Sequence, residues 1–224
     1  MNRHWPQFAL NLLIVGLLAL VLLSCDPGPA TPTAAPTPTP QATTVQSPVR
    51  GDVSLKINEL QTVVASGSAG IQSRFELGIL YYQNTQYDEA IKQFTDILKS
   101  EPKHLNARSN LGAAYFRNGD LTAARREFET AHTQAPDDME ILYNLGAVKL
   151  SMGDAAAALE NFKTVEQRTP QMPDVHVGLG NVYLLQGDKE AGVRELQKAL
   201  ELAPNVSWRP MIEQQIRDAQ SQPK

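Results

Sequence analysis

The sequence has little cysteine, no excess of basic charge and no long apolar segment. A single cysteine cannot close an internal disulfide bond, so the chain has no disulfide framework. The 24 acidic residues outnumber the 20 basic ones, giving a formal net charge of −4. This argues against a nucleic-acid partner, because neutralising phosphates needs a dense basic surface. The longest uninterrupted apolar run, Leu12 to Leu23, is shorter than the roughly 20 residues of a spanning helix.

Patterns that carry catalysis are also missing. His4, His104, His132 and His176 show no ligand spacing, so the sequence predicts no metal site and no cofactor. There is no glycine-rich phosphate loop after a strand, no nucleophile elbow and no paired acid and base. We therefore predict a protein that is not an enzyme.

The first 24 residues predict a signal peptide. A basic start precedes an apolar stretch from Phe8 to Leu23, and the small residue Ser24 ends it. The segment Leu22-Leu23-Ser24-Cys25 resembles the lipobox of bacterial lipoproteins. The resemblance implies that the Cys25 thiol receives a diacylglyceryl group, that residues 1–24 are removed and that the new amino terminus is acylated.

Two other interpretations of Cys25 remain: an incidental cysteine in an uncleaved anchor, and a reactive thiol. A reactive thiol needs an electropositive surrounding, and the nearest downstream ionisable group is the acidic Asp26. Asp26 also resembles the inner-membrane retention signal of some two-membrane bacteria. We expect a lipid anchor on the extracytoplasmic face of the cytoplasmic membrane, with the outer membrane as the alternative.

Residues 25–50 predict a spacer. The stretch from Asp26 to Arg50 contains seven prolines and six threonines. Such a composition buries too little apolar surface to offset the entropy of ordering it. We expect a disordered, partly polyproline tether, at most about 3.1 Å long per residue. O-glycosylation of its threonines is the alternative role.

Four segments of the remaining chain align without a gap at a spacing of 34 residues. Each has a Leu-Gly pair near its start and a proline at its end. The pairs are Leu77-Gly78, Leu111-Gly112, Leu145-Gly146 and Leu179-Gly180, and the prolines are Pro102, Pro136, Pro170 and Pro204. Shared tyrosine, alanine and phenylalanine positions lie between them. A fixed period of this length indicates a stack of small helical units.

The pattern resembles the tetratricopeptide repeat (TPR), which has an early Leu-Gly, then Tyr, Ala, Phe and a closing Pro. The resemblance implies an all-α, right-handed solenoid of helical hairpins. It gives repeats at 71–104, 105–138, 139–172 and 173–206, a helix or half repeat at 51–70, and a capping helix and tail at 207–224. The opening Trp of the pattern is absent, and its positions hold Arg74, Arg108, Leu142 and His176.

The residues themselves explain the hairpins. Gly119, Gly153 and Gly187 stand where a first helix must end, because glycine adopts the left-handed conformation found there. An aspartate follows each glycine and is suited to cap the second helix. The first repeat has Asn84-Thr85-Gln86 instead. We expect Asn84 to take the glycine's role, in a looser turn.

In TPR proteins the first helices line a concave groove that binds a peptide or a partner's helix. The repeat phase places ten residues there: Phe75, Ile79, Tyr82, Asn106, Asn110, Phe116, Tyr143, Asn144, Val177 and Asn181. Asn110 and Asn144 share a repeat position at which asparagines of O-GlcNAc transferase form a ladder along a bound peptide; alternatively, they are ordinary polar helix residues. A clamp for a C-terminal carboxylate is not supported, because its basic positions hold Phe75, Glu140 and Asn144.

These observations predict a lipid-anchored TPR protein that binds a protein or peptide and acts as an adaptor or scaffold in the bacterial cell envelope. The partners expected are an unidentified protein or peptide and, through Cys25, a membrane. The alternative is a constitutive structural subunit of an envelope, secretion or pilus assembly complex.

Overall fold

A computed structural model describes residues 50–67 and 70–221. The predicted signal peptide, Cys25 and the linker up to Val49 lie outside the described residues. The described part of the chain forms ten α-helices and no strand. The helices are α1 (Arg50–Ala65), α2 (Ile71–Gln83), α3 (Tyr87–Ser100), α4 (Leu105–Arg117), α5 (Leu121–Gln134), α6 (Met139–Ser151), α7 (Ala155–Arg168), α8 (Pro173–Leu185), α9 (Lys189–Leu202) and α10 (Arg209–Ser221). None of the helices in these ranges is long and apolar enough to span a membrane.

Helices α2 to α9 form four hairpins. The predicted repeat starts at 71, 105, 139 and 173 coincide with the first residues of α2, α4, α6 and α8. Each hairpin packs on the next, so the core runs along the stack. The stack thus buries apolar faces that no single hairpin could cover.

A repeated contact explains the Leu-Gly pairs. Each second helix places a fully buried ring or leucine against the glycine of its own first helix. A Cβ added to Gly78 or Gly146 would lie 2.7 Å from Cε1 of Phe94 or Phe162, respectively. Glycine is therefore needed at these positions to let the two helices approach, despite a cost of about 1 kcal/mol relative to alanine within a helix.

The turns after α4, α6 and α8 match the prediction. Gly119, Gly153 and Gly187 adopt positive φ values between 84° and 87°. The aspartates that follow cap α5, α7 and α9, each accepting a hydrogen bond from the backbone N–H three residues later. These bonds satisfy donors that the first helical turn leaves unpaired.

The prediction for the first turn is wrong. Asn84 has a φ of −85°, and Thr85 takes the left-handed position at 61°. The turn is no looser, because Thr85 N–H donates to Tyr82 O and Gln86 N–H to Tyr81 O. Gly119 and Asp120 make the equivalent bonds to Phe116 and Tyr115. Position within the hairpin thus decides the conformation, even though threonine does not favour it.

The solenoid ends in half repeats. Helix α1 begins at Arg50, the last residue assigned to the linker, and buries Leu60 while Val63 is half-buried. Helix α10 buries Ile212 and Ile216, with Trp208 packed beside them. It starts one residue later than a Ser207 cap would require, since Ile212 N–H donates to Trp208 O.

The first helices line one side of the stack. They contact one another in succession, α2 with α4, α4 with α6 and α6 with α8. No two of the second helices α3, α5, α7 and α9 make contacts of that extent within the described ranges. The side on which helices approach more closely is the concave one, so the first helices line it.

Candidate functional site

The ten residues predicted for the groove are not equally accessible. Ile79, Asn110, Tyr143, Asn144, Val177 and Asn181 are buried; Phe75, Tyr82 and Phe116 are half-buried; Asn106 is exposed. Only the last four therefore offer side-chain surface to a partner without rearrangement. That these residues bind a peptide stays a prediction.

Most of the buried members serve the core. The Tyr143 ring lies 5.6 Å from that of Phe162, measured between centroids, and burial raises the pKa of Tyr143 well above its ordinary value. Val177 packs with Leu196 and Ile212. Asn181 accepts a 2.6 Å hydrogen bond at Oδ1 from Nε2 of Gln215, a buried contact that joins α8 to α10. These side chains hold the repeats together.

Asn110 is fully buried but incompletely paired. Its Nδ2 donates a 2.8 Å hydrogen bond to the backbone oxygen of Asn106, one turn earlier in α4. Its Oδ1 has no hydrogen-bond partner among the described residues. An unsatisfied buried acceptor costs about 1–3 kcal/mol, so a donor supplied there would be stabilising.

The half-buried aromatic residues lie on α2 and α4, the first helices of repeats 1 and 2. The Phe75 ring stacks on His104 with centroids 5.6 Å apart. Tyr82 meets Tyr87 edge to face at 5.7 Å, and the Arg117 guanidinium lies 5.6 Å from the centre of the Tyr87 ring. Burial raises the pKa of Tyr82 to about 12, so its hydroxyl keeps its proton at neutral pH.

Three of the four positions that lack the opening Trp hold a polar side chain that bonds to the second helix of its own repeat, a contact that the sequence did not lead us to expect. Arg108 donates to Oε2 of Glu127 at 2.7 Å and to the carbonyl of Pro102 at 2.7 Å. His176 makes the matching contacts in repeat 4, with Nδ1 2.8 Å from Oε2 of Glu195 and Nε2 3.0 Å from the carbonyl of Pro170. The recurring 19-residue interval between these partners could have revealed the pairs.

The link in repeat 4 has a third member. One ligand-type atom from each of Glu166, His176 and Glu195 lies within 4.8 Å of the other two. The three residues come from α7, α8 and α9, so the group spans the junction between repeats 3 and 4. Nζ of Lys198 is 3.8 Å from Oε1 of Glu166.

Comparison with known proteins identifies the repeats. The tetratricopeptide repeat family matches residues 75–139 and again residues 149–212, together more than half of the chain. No curated protein sequence matches the chain significantly.

Three solved structures illustrate the likeness in fold. TTC0263, a thermophilic TPR protein of Thermus thermophilus, is 16% identical with a TM-score of 0.62, over 76% of this chain and 91% of that one. MamA is 23% identical with a TM-score of 0.60, over 68% and 90%. YrrB is 18% identical with a TM-score of 0.59, over 75% and 84%.

Identities this low establish the fold alone, and the fold agrees with the matched repeats. The predicted all-α solenoid of four hairpins with a capping helix is therefore confirmed. The chain belongs to the tetratricopeptide repeat family of protein-interaction modules.

Proposed function

We propose that this protein is a membrane-anchored TPR lipoprotein that acts as an adaptor or scaffold in the bacterial cell envelope. It holds a peptide or helix of another protein against the face lined by its first helices. The observation that carries the proposal is the set of half-buried aromatic residues on α2 and α4, together with the exposed Asn106 of α4. We assign the protein no catalytic role.

The chemistry of this surface suits a peptide. Rigid aromatic side chains such as Phe75, Tyr82 and Phe116 bury much area at a small entropy cost. The amide of Asn106 offers both a donor and an acceptor to a peptide unit. These four residues make the first contacts, while Oδ1 of Asn110 accepts a peptide N–H once the covering side chains move. The solved YrrB structure is described as having an unusual peptide-binding site, which supports this use of the fold.

The anchor rests on the lipobox-like segment that ends at Cys25. A single acyl chain binds membranes only marginally, whereas two or more give stable anchoring. Replacing Cys25 with Ala should abolish metabolic labelling with palmitate and leave residues 1–24 attached. Labelling that persists in this variant would exclude the anchor and leave the groove proposal standing.

Photo-crosslinking in membranes tests the groove. A photoreactive amino acid replaces Asn106 in one full-length sample and Lys163, an exposed residue of the second helix α7, in a matched control. We expect a discrete crosslinked partner from position 106 and none from position 163. Equal crosslinking from both positions, or none from position 106, would refute binding at this face.

The competing proposal is a constitutive subunit of an envelope, secretion or pilus assembly complex. Size-exclusion chromatography of residues 51–224 distinguishes the two. A monomer supports the adaptor, whereas aggregation that only a partner relieves supports the constitutive subunit.

A further inference from the structure

We propose that Glu166, His176 and Glu195 bind a divalent first-row transition-metal ion, with Zn²⁺ as the representative. The site lies between repeats 3 and 4, whereas the accessible groove residues lie on α2 and α4, in repeats 1 and 2. It offers one imidazole nitrogen and two carboxylate oxygens, all within 4.8 Å of one another. These donor types suit Zn²⁺ and its neighbours in the first transition series.

The hydrogen bonds of His176 prepare it as a ligand. Its Nε2 lies 3.0 Å from the carbonyl oxygen of Pro170, which can only accept, so Nε2 carries a proton. Metal-binding histidines commonly donate their second ring N–H in this way, which fixes the ring and its tautomer. In the neutral ring, Nδ1 then presents a lone pair to Oε2 of Glu195, 2.8 Å away. Two electron-rich atoms this close need a cation between them, and a metal ion or a proton supplies it.

Glu166 favours the metal ion over the proton. At the same repeat position the chain has Leu98, His132 and Leu200, so a carboxylate occurs in only one of the four. In that one repeat it converges on the His176–Glu195 pair. A proton shared by that pair needs no third ligand, whereas a metal ion gains from one.

The equivalent links in repeats 1 and 2 sharpen the assignment. There, Arg74 and Arg108 reach Gln93 and Glu127 from the position that His176 occupies. A guanidinium supplies its own positive charge and is not a metal ligand. In repeat 4 an imidazole, which can coordinate a metal cation, stands where repeats 1 and 2 have a positively charged guanidinium.

Access and charge also fit. His176 is fully buried, whereas the Glu166 and Glu195 side chains are 32% and 22% exposed, so an ion can enter from the carboxylate side. Two carboxylates and the nearby Lys198 ammonium leave a net charge of about −1 for a divalent ion to offset. Three protein ligands leave a fourth tetrahedral position for water. The bound ion would join α7, α8 and α9.

Metal titration of the full chain tests the site, with Cys25→Ser in every sample so that a thiol without its lipid cannot compete for the metal. Zn²⁺ binding is followed by calorimetry and thermal unfolding, and Co²⁺ binding by visible absorbance. His176→Arg removes the imidazole ligand and gives repeat 4 the arginine–glutamate pair that repeat 2 already has. Glu166→Gln removes the third ligand, and Glu160→Gln on the same helix is its matched control.

We expect one Zn²⁺ per chain, a higher Tm in its presence and a visible Co²⁺ spectrum. His176→Arg and Glu166→Gln should each weaken Zn²⁺ binding at least tenfold, while Glu160→Gln should leave it unchanged. Circular dichroism establishes whether each variant is folded. If His176→Arg does not fold, the Zn²⁺ affinity of Glu166→Gln alone tests the site. Absence of Zn²⁺ binding at micromolar concentrations, or equal binding by the folded variants, would overturn the proposal.

Discussion

Replacing Thr85 with Gly should stabilise the protein. Thr85 holds a φ of 61° at the position where three other turns have glycine. Its N–H donates to Tyr82 O at 3.1 Å, and Gly119 N–H makes the equivalent bond to Phe116 O at 3.2 Å. Because the two turns share these backbone hydrogen bonds, the threonine side chain is the difference between them at the left-handed position.

The size of the effect follows from two opposing terms. A left-handed conformation costs a residue with a Cβ about 1–2 kcal/mol, and a β-branched residue is among the least suited to it. In the opposite direction, glycine lowers the stability by roughly 0.5–1 kcal/mol, because it has more conformational freedom than threonine in the unfolded chain. We expect a net stabilisation of about 0.5–1 kcal/mol, or about 1–4 °C in Tm for a domain of this size.

Urea unfolding followed by circular dichroism measures the change. Gly119→Thr is the matched control, because nothing lies within 4 Å of a Cβ added there, so the substitution introduces backbone strain without a clash. It should destabilise the protein by at least the amount that Thr85→Gly stabilises it. A destabilised Thr85→Gly variant, or a Gly119→Thr variant as stable as the parent, would refute the strain argument.

Three further predictions concern stability. Gln86 makes no side-chain capping bond at the start of α3, whereas Asp120 caps α5. Gln86→Asp should therefore raise the free energy of unfolding by about 1 kcal/mol. An unchanged midpoint of urea unfolding would contradict this prediction. Gly146→Ala should destabilise the protein more than Gly112→Ala in the same assay, because the added Cβ would lie 2.7 Å from Phe162 in the first variant but 3.0 Å from Phe128 in the second. Overpacking costs about 1–3 kcal/mol, whereas alanine gains about 1 kcal/mol in helix propensity over glycine. Equal losses of stability in the two variants would argue against the close contact. The hydrogen bond from Lys99 lowers the pKa of Asp96 from 3.8, so the charged form stabilises the fold above that pH and the benefit disappears as the pH falls through the lowered pKa. Asp96→Asn should thus cost less than about 1 kcal/mol at pH 7 and less still near pH 2, as measured by unfolding at both pH values. A loss of equal size at both pH values would exclude the ionic contribution.

The hairpins follow from the sequence, because the signals that set them are local. Gly119 and Asp120 end one helix and cap the next through contacts within about four residues. The 34-residue spacing of the Leu-Gly pairs then sets the length of chain from one hairpin to the next. The same local logic failed at Thr85, because the geometry of the hairpin overrides the preference of a single residue.

The accessibility of the groove residues and the side-chain contacts between repeats depend on tertiary packing. Phase along a helix put Asn110 and Phe116 on one list, but burial depends on the neighbouring hairpins, which leave Phe116 half-buried and enclose Asn110. His176 lies 10 residues from Glu166 and 19 from Glu195 in sequence, with no familiar ligand spacing. Their three helices come together only because successive hairpins stack at a fixed offset, and that offset is set by packing along the whole solenoid.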